Sequence, residues 1–226
     1  MNQPAPHTEN TAENTAENMA ENLREWIGRH LDPLEDRKPA AGRWIDDSVG
    51  PARTQPKGEV RPAAVLVGLV ERPQGLTVLL TRRADTLRNH TGQIALPGGR
   101  LDPGETPWEA ALREAEEEVG LDRRFVSLAG LSTPMLTHSG YMITPVVGFV
   151  REGFRLAPNP HEVADIFETP FGFLMDPANH EQRIHEFDDG QTRRYYAMTH
   201  EDRFIWGVTA RILRALYERL YGAALA

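Results

Sequence analysis

The segment from Pro97 to Gly120 constrains the fold more than any other, because it carries the signals for both ends of one helix. It opens as a glycine- and proline-rich loop, Pro97–Gly104. Thr106 then stands where an N-cap belongs, Pro107 takes the first helical position, and Glu109 completes a capping box with Thr106. Gly120 is the natural stop. Between these marks Trp108, Ala111, Leu112, Ala115 and Val119 fall on one side of a helical wheel and form the stripe expected to be buried. Glu114, Glu117 and Glu118 fall together in a separate sector about 100° wide, with Arg113 beside them. Three ionised carboxylates this close repel one another and need either full solvation or a cation. A hard divalent ion that prefers oxygen ligands, Mg²⁺ or Mn²⁺, suits such a cluster. Read alone, a glutamate run is more often a solvated helix face, so its surroundings decide.

Those surroundings are a globular chain. At 226 residues with 40% apolar side chains it can build one cored domain with extra terminal elements. Ala63–Val70 is a continuous apolar run, hence a buried strand, and Leu76–Arg82 pairs with it as a hairpin across Pro73-Gln74-Gly75. Further strands are expected at Phe125–Leu131 and Pro145–Val150, and a strand pair within 183–198 turns at Asp188-Asp189-Gly190. A last helix is predicted from Ile205 to Tyr221. Strands and helices interleave without a regular βαβ repeat, which favours an α+β layered domain over a doubly wound sheet. Upstream, Thr11-Ala-Glu-Asn14 is followed by two near copies, and residues 1–18 read as a disordered, low-complexity tail. Residues 19–62 read as an N-terminal helix followed by a wrapping loop with room for one short helix. On that first helix Met19, Leu23, Trp26, Ile27 and Leu31 share a face, to pack on the domain or on a second subunit, which leaves a homodimer open. The domain proper is 63–226.

Composition excludes several functions. A net charge of −8 argues against broad binding to nucleic acid or to an anionic membrane. With no cysteine there are no disulfides, zinc ribbons or thiol nucleophiles. The only lysines, Lys38 and Lys57, lie among prolines, which removes a P-loop or Schiff-base lysine. No apolar run reaches the roughly 18 residues of a membrane span, and no secretory pattern opens the chain. A cytoplasmic location is expected. Ser139 lacks a nucleophile-elbow context, and His90, His138 and His161 read as polar surface residues.

The loop and helix together decide the reading of the glutamates. Gly99 is followed after five residues by Glu105, and after seven more by Arg113-Glu114-Ala115-Glu116-Glu117-Glu118-Val119-Gly120-Leu121. This pattern resembles the signature box of the Nudix hydrolases at every fixed position. The resemblance implies a Nudix-type α/β/α sandwich with a mixed β-sheet and a catalytic loop-helix-loop. It also implies hydrolysis of a diphosphate linked to another moiety. Carried over by position, Glu114 and Glu118 would be the leading metal ligands, with Glu117 close behind. Arg113 would orient Glu114 by an ion pair, Glu105 would hold the loop, and Gly98 and Gly99 would let the backbone bend beside the substrate. Loss of box glutamates would mark a Nudix-fold binding module without turnover, and all of them are present here.

Just upstream, Leu79-Leu80-Thr81-Arg82-Arg83-Ala84 leads at fixed spacings to Arg88, Gly92 and Leu96-Pro97-Gly98-Gly99. This resembles the signature of the coenzyme A pyrophosphatase branch, although Leu96 stands where that branch often has an aromatic residue. The substrate implied is a small nucleotide, coenzyme A or a derivative, giving 3′,5′-ADP and 4′-phosphopantetheine or its acyl form. Coenzyme A carries a diphosphate and a 3′-phosphate, anions that the planar fork of arginine binds well. Strand alternation puts Arg83 and Arg82 on opposite faces, so Arg83 and Arg88 are the expected substrate contacts. Glu162, in a loop before the apolar run Val163–Phe167, is either a remote general base or a surface ion-pair residue. ADP-ribose, dinucleotides and nucleoside triphosphates are the alternative substrates that the box alone would allow.

Overall fold

A computed structural model of the chain describes residues 21–34, 44–47, 59–85, 92–186 and 192–222. The expected tail 1–18, Met19, Arg88, His90 and the turn Asp188–Gly190 lie outside the described residues.

The apolar run near residue 63 is the spine of the molecule. Strand β2 (Arg61–Arg72) pairs in parallel with β8 (Tyr141–Val150) and antiparallel with β3 (Gly75–Arg83), which makes the sheet mixed. The hairpin turns over Pro73-Gln74, as the sequence predicts. Outward from this centre, β6 (Val126–Leu131) and β7 (Met135–Leu136) pair with β8. On the other flank β4 (Ile94–Ala95) and β9 (Val163–Pro170) pair with β3, and β5 (Gly98–Arg100) pairs with β2. The strand β1 (Ile45–Asp46) joins the far edge in parallel with β7.

The continuous hydrophobicity of β2 has a direct cause, since both faces are covered. Ala64, Leu66 and Val70 pack on helix α2 (Pro107–Val119) with Ala110, Ala111, Ala115 and Val119. The alternate residues Val67 and Leu69 pack with Ile212, Leu213 and Leu216 of helix α4 (Gly207–Tyr221). A sheet between helical layers on both faces is the α/β/α sandwich expected. Helix α1 (21–29) joins the α4 side. Ile27 is fully buried, the Trp26 ring lies 5.0 Å from that of Tyr221, and Arg219 forms a 2.6 Å ion pair with Asp32. The amphipathic face of α1 is thus spent on its own domain.

Three expectations change. The stretch 32–62 does not wrap only as a loop. Asp32 bridges Leu131, residues 45–46 form β1, and no helix occurs among the described residues there. Two-residue strands carry too little periodicity to be read locally. The last helix starts at Gly207 rather than Ile205. Ile205 and Trp206 belong to strand β12 (Arg203–Trp206), the third strand of a small sheet with β10 (Glu181–Glu186) and β11 (Thr192–His200). An apolar residue such as Ile205 is buried in either geometry, so burial periodicity did not separate them. Finally, β8 begins at Tyr141, four residues before Pro145, because it runs beside the whole of β2. A short helix α3 (Phe171–Leu174) connects the two sheets.

Candidate active site

Helix α2 is capped as its sequence predicts. The Thr106 side chain accepts from the Glu109 N–H, Glu109 reaches back to the Thr106 backbone, and Gly120 closes the helix in the left-handed region at φ 68°. These stops fix which residues point toward the sheet. On the wheel Glu118 stands only about 20° from Ala111, so the cluster does not share one environment. Glu118 is buried at 5% exposure, Glu114 is half-buried, and the Glu117 side chain is 59% exposed.

The loop glycines are shaped by these carboxylates. The Gly98 N–H donates to Glu118 Oε2 at 3.1 Å. A Cβ on Gly98 would stand 2.3 Å from the Ala64 carbonyl oxygen, and one on Gly99 would stand 2.3 Å from Glu114 Oε1. The backbone therefore passes where side chains do not fit. Arg113 ties loop to helix. Its Nε and Nη2 donate to Glu105 at 2.9 and 3.0 Å, its Nη1 reaches Glu114 at 2.9 Å and Glu117 at 3.2 Å, and Nη2 also reaches the Arg100 carbonyl. Glu105 in turn accepts from the Asp102 N–H. The hydrogen bonds from Arg113 hold the Glu105 carboxyl below its ordinary range, despite partial burial.

A cavity of about 550 Å³ opens against this assembly. Glu114, Glu118, Glu162 and Arg83 line it, together with Gly98 and Gly99. Burial pushes the Glu118 carboxyl up to about 7, and the charges of Glu114 and Glu162 add to the rise. Burial also raises Glu114, helped by Glu117 and Glu162 and opposed by Arg113. These carboxylates destabilise one another's charge, which is the electrostatic setting a cation relieves. Arg83 reaches the cavity while Arg82 pairs with Asp85 at 3.1 Å. The Nε of Arg83 is buried without a hydrogen-bond partner. Glu162 faces the cavity from the turn before β9, held there by its carbonyl, which accepts from the Ala84 N–H. Arg88 lies outside the described residues. The cavity also has an apolar lining, with Ile94, Leu96, Ile143, Val208, Ile212 and Trp206.

Residues 60–200, more than half of the chain, match the NUDIX domain. The chain belongs to the Nudix family. This Nudix chain is 43% identical over 162 residues to the protein described as the uncharacterized Nudix hydrolase NudL of Yersinia pestis (strain Pestoides F), covering 71% of this chain and 80% of that one. Among solved structures it is similar to the Nudix hydrolase RenU of M. smegmatis, at 28% identity and TM-score 0.44, covering 58% and 80% of the two chains. It is also similar to a C. elegans Ap4A hydrolase in a binary complex, at 20% identity and TM-score 0.43, covering 49% and 80%.

Sequence reasoning left part of this Nudix site unmarked. Thr137, Ser139 and Tyr141 enter the cavity from the loop before β8 and the start of that strand, and Trp206 from the end of β12. Thr137, Ser139 and Tyr141 have no motif around them. Trp206 lies in Ile205-Trp206-Gly207-Val208-Thr209-Ala210, which resembles the coenzyme A pyrophosphatase branch, and each arrives by strand pairing distant in sequence. His138, expected as a polar surface residue, is held by Asp47. Its Nδ1 lies 2.6 Å from Asp47 Oδ1, and its backbone N–H donates to Oδ2 at 2.8 Å. With Asp46 this is the one trio of carboxylate and imidazole ligand atoms found within 4.8 Å among the described residues. Adjacent aspartates behind the apolar Trp44-Ile45 pair were its only sequence signal. No described helix is long and apolar enough to cross a membrane.

Proposed function

We propose that this Nudix hydrolase cleaves the diphosphate of coenzyme A or its derivatives to 3′,5′-ADP and 4′-phosphopantetheine or its acyl form. The observation that carries this reading is Arg83. It is the signature arginine, it enters the same cavity as Glu114, Glu118 and Glu162, and its buried Nε lacks a partner. An orphaned guanidinium donor beside a nest of carboxylates suits a diphosphate oxygen. The apolar part of the lining suits the uncharged pantetheine arm.

The oxygen donors and the mutual strain of these carboxylates fit a divalent ion, Mg²⁺ or Mn²⁺, with Glu114 and Glu118 as its main holders and Glu117 at the exposed margin. Such an ion, when bound, screens the diphosphate charge and favours attack by water. The protein's own residues do the rest. Arg113 fixes Glu114, and the Gly98 N–H fixes Glu118. Arg83 binds a non-bridging oxygen. The Glu162 side chain makes no hydrogen bond or ion pair among the described residues, so it is the cavity carboxylate free to accept the proton of the attacking water. The water oxygen bonds to phosphorus in line, the bond to the bridging oxygen breaks, and the departing phosphate carries off the electron pair. No covalent enzyme intermediate forms.

The test is product analysis after incubating the protein with coenzyme A and Mg²⁺ or Mn²⁺, alongside ADP-ribose, a dinucleotide and a nucleoside triphosphate. Release of 3′,5′-ADP as the fastest reaction is expected. Cleavage of ADP-ribose far faster than coenzyme A would overturn the assignment.

A further inference from the structure

Two arginines that meet on Tyr141, a residue lining the cavity, are arranged differently from most of the arginines around them. Arg61 and Tyr141 are opposite residues of the parallel strands β2 and β8, and Arg100 ends β5 opposite Ala63. The Arg61 guanidinium lies over the Tyr141 ring, 4.0 Å from its centroid. Nε and Nη2 of Arg100 donate to the Tyr141 hydroxyl at 2.9 and 2.5 Å. Two positive groups thus converge from different strands on one ring. Arg72, Arg113, Arg203 and Arg219 all lie on carboxylates. Neither Arg61 nor Arg100 has a carboxylate partner among the described residues. Arg61 instead donates to the Ser139 carbonyl, and Ser139, Tyr141 and Arg100 line the cavity that holds Glu114 and Glu118.

The Tyr141 hydroxyl is used by Arg100 as an acceptor, so its own proton remains to be donated. The cavity lining here therefore presents the Arg100 guanidinium and an O–H donor, with the Arg61 guanidinium against the same ring and no carboxylate paired to either arginine among the described residues. Like charges held this close cost free energy that an anion recovers. A phosphomonoester dianion matches this donor set, because it accepts forked hydrogen bonds from arginine and a further one from a phenol.

We propose that Arg61, Arg100 and Tyr141 form a second anion site, which binds a terminal phosphomonoester of the substrate apart from the diphosphate that is cleaved. This rests on the reading of the substrate as a phosphorylated adenine nucleotide. On the coenzyme A reading the group bound is the ribose 3′-phosphate, and the site selects for its presence.

The experiment measures binding of 3′,5′-ADP and 5′-AMP to the full chain by calorimetry, with coenzyme A turnover followed in the same preparations. Wild type is expected to bind 3′,5′-ADP about tenfold tighter than 5′-AMP. The double variant Arg61→Gln/Arg100→Gln should bring the two within about twofold and raise KM for coenzyme A while kcat stays near wild type. Tyr141→Phe, which keeps the ring under Arg61, should lose part of the preference. Arg61 and Arg100 are exposed and Tyr141 is half-buried, and a thermal melt of each variant checks the fold. A wild-type protein without the preference, or a double variant that keeps it, overturns the proposal. If coenzyme A is not cleaved but the arginine-dependent preference persists, the second anion site stands and the proposed substrate falls. If coenzyme A is cleaved with the same KM in the double variant, the substrate stands and the second site falls.

Discussion

Gly98 and Gly99 are neighbours, yet replacing them should fail in different ways. A Cβ on Gly98 meets backbone, the Ala64 carbonyl oxygen at 2.3 Å and Val65 Cα at 2.6 Å, so β5 must separate from β2. Gly98→Ala is expected to cost about 2–3 kcal/mol of stability, read from denaturant unfolding. The three atoms nearest a Cβ on Gly99 are all in the carboxylate of Glu114, the far end of a side chain that can swing aside. Gly99→Ala should therefore change stability by less than about 1 kcal/mol while turnover falls at least about tenfold. Equal losses of stability in both variants would show that Glu114 is not displaced at small cost. Glu118→Gln tests the same cluster from the other side. The two side chains have similar helix propensities, so the fold should survive and turnover should be lost. At this scale the positions of the box residues were legible because spacing on a capped helix fixes direction. Their unequal burial was not. It depends on which side of the wheel the sheet covers, and a Glu118 lying at the edge of the apolar stripe reads the same whether it is wet or dry.

The helix that carries these groups sets a pH dependence. In the metal-free protein the Glu118 carboxyl titrates near about 7, above its ordinary 4.5, because burial and the charges of Glu114 and Glu162 disfavour ionisation. A carboxyl with a raised folded-state value binds its proton more tightly when folded. Its stabilising contribution is therefore complete below about 4.5 and is lost as pH rises through about 7. The metal-free protein should thus lose about 2–3 kcal/mol between pH 5 and 8 that Glu118→Gln does not lose. Millimolar Mg²⁺ should restore melting temperature at pH 8 in wild type and much less in the variant. Paired melts of the two proteins across that range check both statements. Among the elements, α2 was readable to the residue because its capping box, N-terminal proline and left-handed glycine are local devices. The edges β1 and β12 were not, since two or four residues hold no period, and only their partners at Met135–Leu136 and Ala197–His200 make them strands.

For the molecule as a whole, the layered architecture follows from patterning, because a doubly buried strand beside amphipathic helices leaves few alternatives. What patterning does not carry is contact across long sequence separations. The Asp47–His138 pair spans 91 positions, and the Arg219–Asp32 pair spans 187. Both involve the N-terminal segment, which the sequence sets apart as a tail, a helix to pack on the domain or on a second subunit, and a wrapping loop, and whose residues 21–34 and 44–47 the structure joins to the domain. Helix α1 covers the α4 side, and none of residues 21–34 lines the cavity. Its role should therefore show in stability and not in chemistry. Ile27 is fully buried among core residues shared with α4. Ile27→Ala leaves a cavity there and is expected to cost about 3 kcal/mol, which for a domain of this size lowers the melting temperature by about 6–12 °C. Measured well below that melting point, kcat and KM should match wild type. A change in KM under those conditions would mean that α1 acts on the substrate cavity through α4, whose first turn, Gly207–Thr209, lines it. That outcome would turn a structural cover into part of substrate selection.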